Sequence, residues 1–188
     1  MRNGIRRRIR KSGKVRRIRS ACYEKNSYGL LFLFRKYKKI AEKIHDALGG
    51  DIAEIETVVP YSGDYDAVVD QGNEEVQKGF KPKIRPLPVN PADYDVIVLG
   101  TPVWWYTFAP AVKTFLESND FSQKTIFPFA ANGGWIGHTF KDIAASCKAE
   151  EKGVTIKKGL NLRFDGNAMR TPQSELNGWI SAIAKEEF

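Results

Sequence analysis

Apolar positions in this chain fall into short runs and helical stripes that alternate along its length. Val96–Leu99 is an unbroken apolar run, the pattern of a strand covered on both faces inside a parallel sheet. Lys124–Ala130 (KTIFPFA) predicts a second buried strand, whose Pro128 lacks a ladder donor and so implies pairing on one side only or a bulge. Asp51–Val59 alternates in part and suits a sheet edge, Thr155–Phe164 reads as a last strand or hairpin, and Leu30–Phe34 is apolar enough for a first strand. Between these runs, Ile40, Ala41, Ile44, Ala47 and Leu48 recur at helical spacing and stop at Gly49-Gly50. Tyr65–Lys78 predicts an amphipathic helix, followed by an extended linker with Pro82, Pro86, Pro88 and Pro91. Pro110 opens a helix carrying Ala111, Val112, Phe115 and Leu116. Thr139–Cys147 follows with Ile143 and Ala144 inward, and Thr171-Pro172 caps a last helix bearing Leu176, Trp179, Ile180 and Ile183. Strand and helix alternate through five units, which predicts an α/β fold: a doubly wound, five-stranded parallel sheet with helices on both faces.

Two loops follow buried strands, and in such a sheet both reach the crevice where ligands bind. Thr101–Phe108 (TPVWWYTF) offers broad aromatic faces at Trp104, Trp105 and Tyr106. Ala131–His138 (ANGGWIGH) offers glycines, where backbone amides approach a ligand with no Cβ in the way. Together they describe a slot for a flat, hydrogen-bonding heterocycle, and a flavin suits it better than a sugar or a peptide. A second reading makes Trp104 and Trp105 a plug for a core gap or a partner interface. No residue stands out as acid, base or nucleophile. His138 reads as a helix cap or surface residue, Cys147 as a bystander on a helix, and His45 as surface or half-buried.

The block DYDVIVLGTPVWWYTFAPAVKTFLE, followed by KTIFPFAANGGWIGHTFKDIA, resembles the flavodoxin family, and more narrowly bacterial short-chain flavodoxin-like proteins with a T-P-[VI]-W-W first flavin loop. The resemblance runs from Lys38 to the end. It implies the sheet order 2-1-3-4-5 with FMN at the switch point. By position, Thr101, Pro102, Val103, Trp104, Trp105 and Tyr106 would flank the isoalloxazine. Asn132, Gly133, Gly134, Trp135 and Gly137 would line its pyrimidine edge, where family members usually carry Ser or Thr at and near position 132. The implied role is electron transfer on non-covalent FMN between redox partner proteins. The alternative on the same fold is an oxidoreductase, an FMN-dependent NAD(P)H:quinone or nitro-group reductase.

One family feature is missing from the written sequence. Flavodoxins open with an apolar strand and an S-x-[TS]-G-N-T loop that cradles the FMN phosphate at a helix N-terminus. This chain has Leu30-Leu31-Phe32-Leu33-Phe34-Arg35-Lys36-Tyr37 there, with neither glycine nor a hydroxyl-rich loop. Permitted codons for Cys22–Lys39, read one nucleotide later, spell VMKKILMAYYSSSGNTK: a start methionine, an apolar strand and the complete phosphate loop. On this reading residues 1–22 are a basic, disordered, non-native leader made of translated upstream sequence. Residues 23–188 are the flavodoxin-like domain, with 23–38 in the wrong frame.

Charge divides the chain at the same place. The overall balance of +8 hides a leader, residues 1–39, with 15 Lys and Arg against one acid, while the rest carries 15 against 21. A nucleic-acid role would rest on that basic arm alone, and no aromatic is interleaved in residues 1–20 to stack on bases. The domain proper is mildly acidic. No apolar run is long enough to cross a bilayer, so no membrane association is expected. Cys22 and Cys147 form neither a disulfide framework nor a zinc pattern, which points to a reducing, cytoplasmic setting and to no metal.

Overall fold

The computed structural model of the chain describes residues 28–32 and 37–186. Its elements run β1 (Tyr28–Phe32), α1 (Lys38–Leu48), β2 (Asp51–Glu54), α2 (Tyr65–Gln77), β3 (Val96–Trp104), β4 (Thr107–Phe108) and α3 (Pro110–Ser118). They continue with β5 (Thr125–Asn132), α4 (Thr139–Ser146), α5 (Ala149–Lys152), β6 (Thr155–Ile156), β7 (Leu160–Asp165), β8 (Ala168–Met169) and α6 (Gln173–Lys185). The five principal strands lie in the order β2-β1-β3-β5-β7, all parallel. In chain order this is the expected 2-1-3-4-5. Three two-residue strands complete an eight-stranded sheet: β4 and β8 add antiparallel hairpins, and β6 begins the fifth track before β7 resumes it.

β3 shows why its apolar run has no polar alternation. Ile97 and Leu99 pack into one cluster with Val112, Phe115 and Leu116 of α3 and Ile143 of α4. Val96 and Val98 pack into the other, with Ala41 and Ile44 of α1 and Ile180 and Ile183 of α6. All four strand residues are at most 1% exposed. Full burial is worth about 1.5–3 kcal/mol per large aliphatic side chain, so this strand anchors both layers. Gly100 continues it because a Cβ there would overlap the Phe129 ring of β5.

β1 takes the central slot between β2 and β3, with Leu31 opposite both Ala53 and Leu99. It starts two residues earlier than the apolar run Leu30–Phe34 suggests; Leu33 and Phe34 lie outside the described residues, as do residues 1–27 with Cys22. Pro128 is accommodated by the split fifth track. Ile126 and Lys124 carbonyls accept from Lys157 and Thr155, so even-numbered residues of β5 face that side. The missing N–H of Pro128 therefore points at residues 157–159, between β6 and β7, where no ladder partner is required. Trp179 closes this region, its ring edge-on to Phe127 and its indole N–H donating to the Lys158 carbonyl at 3.0 Å.

Two predicted details differ. Asp51–Val59 is a strand only to Glu54; residues 56–58 instead pair antiparallel with 83–85, which fastens the proline-rich linker to the sheet edge. Thr171 does not cap α6. Its hydroxyl donates to the Asn161 carbonyl and accepts from the Arg163 N–H, stapling β7. Among the described residues no helix is long and apolar enough to cross a membrane.

Tyr94, just before β3, donates to Asp51 Oδ2 at 2.6 Å and ties that strand to the sheet edge. Burial, then the Asp51 carboxylate, push its phenol from 10.0 up to about 12. A raised folded-state value means the contribution is complete below pH 10 and is lost as pH rises towards 12. The urea midpoint is expected to fall across that window, and to fall less in Tyr94→Phe. Identical alkaline profiles for the two chains would contradict this role.

Candidate functional site at the carboxyl ends of β3 and β5

β3 runs past its apolar core to Trp104, reverses over Trp105-Tyr106 and returns as β4, with Val103 opposite Phe108 and Trp104 opposite Thr107. A two-residue hairpin with positive φ at both positions is a type I′ turn, which favours Asn-Gly. Here Trp105 has φ 48° and Tyr106 φ 69°. Left-handed backbone at a bulky residue costs of order 1–3 kcal/mol and persists only where its surroundings over-determine it.

Those surroundings come from the second loop and from α2 and α4. The Tyr106 carbonyl accepts the His138 N–H at 2.9 Å, and the Thr107 hydroxyl donates to Asp142 on α4. Gly137, itself at φ 61°, passes so close that a Cβ would overlap the Tyr106 carbonyl. The Trp105 indole N–H donates to the Val69 carbonyl at 3.3 Å, and the Tyr106 ring rests 5.1 Å from that of Trp135. Trp104 is wedged from behind. A Cβ at Gly72 of α2 would sit 2.9 Å from its ring, and Tyr61 meets it edge-on at 4.9 Å. Tyr61 donates to Glu75 at 2.6 Å, and burial, then that carboxylate, push its phenol far above the usual range.

A cleft of about 370 Å³ opens beside this turn. β3 contributes Pro102, Val103 and Trp104 with the turn residue Trp105; β5 and its exit contribute Ala131, Asn132 and Gly133. Helix α2 adds Tyr65, Val68, Val69 and Gly72, and Tyr37 leads into α1 at the other end. The chain order reverses between β1 and β3, so the cleft occupies the switch-point position.

The eleven sequence-predicted site residues fall in three places. Pro102, Val103, Trp104, Trp105, Asn132 and Gly133 line the cleft. Thr101 is buried beneath it, its hydroxyl donating to the Pro102 carbonyl and accepting from the Ala109 N–H. Tyr106, Gly134, Trp135 and Gly137 lie outside the lining, on the side where the two loops clasp. Asn132 is 6% exposed, and its amide is engaged by the protein: Oδ1 accepts the Gly134 N–H at 3.1 Å and Nδ2 donates to Asn161 at 2.5 Å. Gly133 differs from Gly137. A Cβ at Gly133 would find nothing nearer than 3.9 Å, so the fold itself does not use the room that this glycine leaves. The α2 wall was not foreseen from sequence, although a glycine inside a helical pattern, Gly72, marks a close approach.

The family model described as flavodoxin (Flavodoxin_4) matches residues 35–182. The chain belongs to the flavodoxin family. Among solved structures, a putative flavoprotein from Bacteroides eggerthii DSM 20697 is 26% identical, with a TM-score of 0.69 over 86% of this chain and 100% of that one. One from Bacteroides uniformis ATCC 8492 is 23% identical, with a TM-score of 0.68 over 83% and 98%. A flavoprotein in complex with FMN from Lactobacillus acidophilus NCFM is 21% identical, with a TM-score of 0.61 over 82% and 99%. No curated protein matches the sequence. In this flavodoxin-family chain Cys147 is buried, its thiol pushed up by that burial, and lines neither the cleft nor any metal cluster among the described residues.

Gly137→Ala is expected to cost about 1–3 kcal/mol in denaturant unfolding, because it meets both the positive φ and the Tyr106 carbonyl. Gly133→Ala is expected within about 0.5 kcal/mol of the parent. Equal effects at the two glycines would contradict the division of roles.

Proposed function

We propose that this flavodoxin-family domain binds FMN non-covalently and carries electrons between redox partner proteins. One observation carries the reading: an aromatic wall, Trp104-Trp105, adjoins a switch-point cleft in which Gly133 leaves room that the fold does not use. The Lactobacillus acidophilus flavoprotein, of the same fold, is in complex with FMN. The flat ring would lie against Pro102–Trp105, with the backbone of Asn132 and Gly133 at its polar edge. Thr101, Tyr106, Gly134, Trp135 and Gly137 would hold those segments in place. Bound flavin supplies one- and two-electron redox chemistry. Negative charge lies near the cleft: α2, which lines it through Tyr65, Val68, Val69 and Gly72, also carries Asp66, Asp70, Glu74 and Glu75 outside the lining. That field opposes a further negative charge on the ring and draws basic partners. The reductase alternative draws on the open mouth, where Tyr65 is 81% and Trp105 42% exposed and a quinone could reach the ring. Steady NAD(P)H oxidation with a quinone would mark a reductase; reduction only through a partner enzyme would mark a carrier.

The phosphate end of the site is proposed to be the weak point of the written chain. Residues 33–36 lie outside the described residues, and their sequence offers no glycine and no hydroxyl. Residues 23–38 are proposed to be the out-of-frame image of the strand and phosphate loop, and residues 1–22 a non-native leader. Sequencing the encoding DNA is expected to show the shifted S-S-S-G-N-T codons. In spectral titration the written chain is expected to bind FMN weakly. A chain beginning VMKKILMAYYSSSGNTK is expected to bind about a hundredfold tighter, the order given by two charge-assisted bonds of about 1.5 kcal/mol each. Tight FMN binding by the unmodified chain would contradict this account of residues 23–38.

A further inference from the structure

A second cavity, of about 290 Å³, lies between α2, α3 and α4 on the other side of the β3–β4 hairpin. Val76, Phe80, Phe108, Pro110 and Ala145 give it apolar sides, and Phe80 is left 50% exposed at its edge. Asp142 and His138, one helical turn apart on and beside α4, share this cavity with Thr107. Asp142 accepts from the Thr107 hydroxyl and is bonded to His138 Nδ1. A carboxylate only accepts, so Nδ1 donates to it, and Nε2 is the ring nitrogen that Asp142 does not engage. The dyad thus leaves one ring nitrogen for a ligand at the rim of an apolar pocket, which suits a hydroxyl group on a flat, apolar body.

Charge narrows the class. Glu75 and Asp142 line the cavity together with Lys113, and Lys113 already lies 4.0 Å from Glu117. An anionic ligand would meet two carboxylates at the rim. From these observations we infer that the cavity is a binding site for a small neutral hydroxylated aromatic, a phenol or hydroquinone of one or two rings, whose hydroxyl bonds to His138 Nε2. The site is distinct from the cleft and does not depend on FMN. The two share the hairpin: Thr107 and Phe108 line this cavity, Val103–Trp105 the other. A ligand here therefore presses on the loop that bears the cleft's aromatic wall.

The test is an amide NMR titration of the full chain with 2-naphthol, near neutral pH, beside 2-methoxynaphthalene, which has the same rings and no donor. The inference expects naphthol shifts at Val76–Phe80, Thr107–Lys113 and His138–Ser146. Affinity is expected to be about three- to tenfold weaker for the methoxy compound, and for naphthol with His138→Phe, as loss of one hydrogen bond implies. Ala145→Trp, which fills the cavity and leaves the dyad intact, is expected to abolish those shifts. Equal affinity for the two probes, no effect of His138→Phe in a chain whose spectrum remains folded, persistence of the shifts in Ala145→Trp, or shifts confined to Pro102–Trp105 and Gly133 would each overturn the inference.

Discussion

Two aromatic residues held in left-handed backbone, Trp105 and Tyr106, are the constraint on which the working end of this molecule depends. Neither favours that conformation, so the turn exists because its neighbours leave it no alternative. Gly137 gives the Tyr106 carbonyl its space, the His138 N–H bonds that carbonyl, and Asp142 holds the returning strand through Thr107. These contacts fasten the end of β3 to the exit of β5 and the start of α4. The aromatic wall is thereby fixed against α2, through Gly72 and Val69, and the space beside it becomes a defined cleft.

The same constraint separates the glycines that the packing requires from the one that it does not. Gly137, Gly72 and Gly100 are each required by a side chain or carbonyl that a Cβ would strike. Gly133 is required by nothing in the chain. Trp104 is braced by Tyr61 and packs against the core, and the same residue lines the cleft.

Much of this was legible in the sequence. Val96–Leu99 showed a strand buried on both faces because parallel sheets remove the need for alternation. Pro128 signalled a gap in pairing, and the gap lies between β6 and β7. The two loops were recognisable because aromatics and glycines follow buried strands at carboxyl ends. What escaped depends on long-range geometry. The I′ turn at Trp105-Tyr106 violates local preference and is imposed by Gly137, some thirty residues on. The α2 wall and Tyr37 reach the cleft only through topology, and the His138–Asp142–Thr107 cluster needs the hairpin to bring Thr107 beside α4.

The central claim is that the flat part of FMN lies in the cleft between the aromatic turn and the exit of β5. The measurement that tests it most directly is an assigned amide spectrum of the chain with its phosphate loop restored, recorded as FMN is added. The account predicts the largest changes at Val103–Trp105 and Ala131–Gly133, with a second set along the cleft-facing turns of α2. Changes centred instead on the β7–α6 face or on the cavity between α2, α3 and α4, with Val103–Trp105 unmoved, would contradict it.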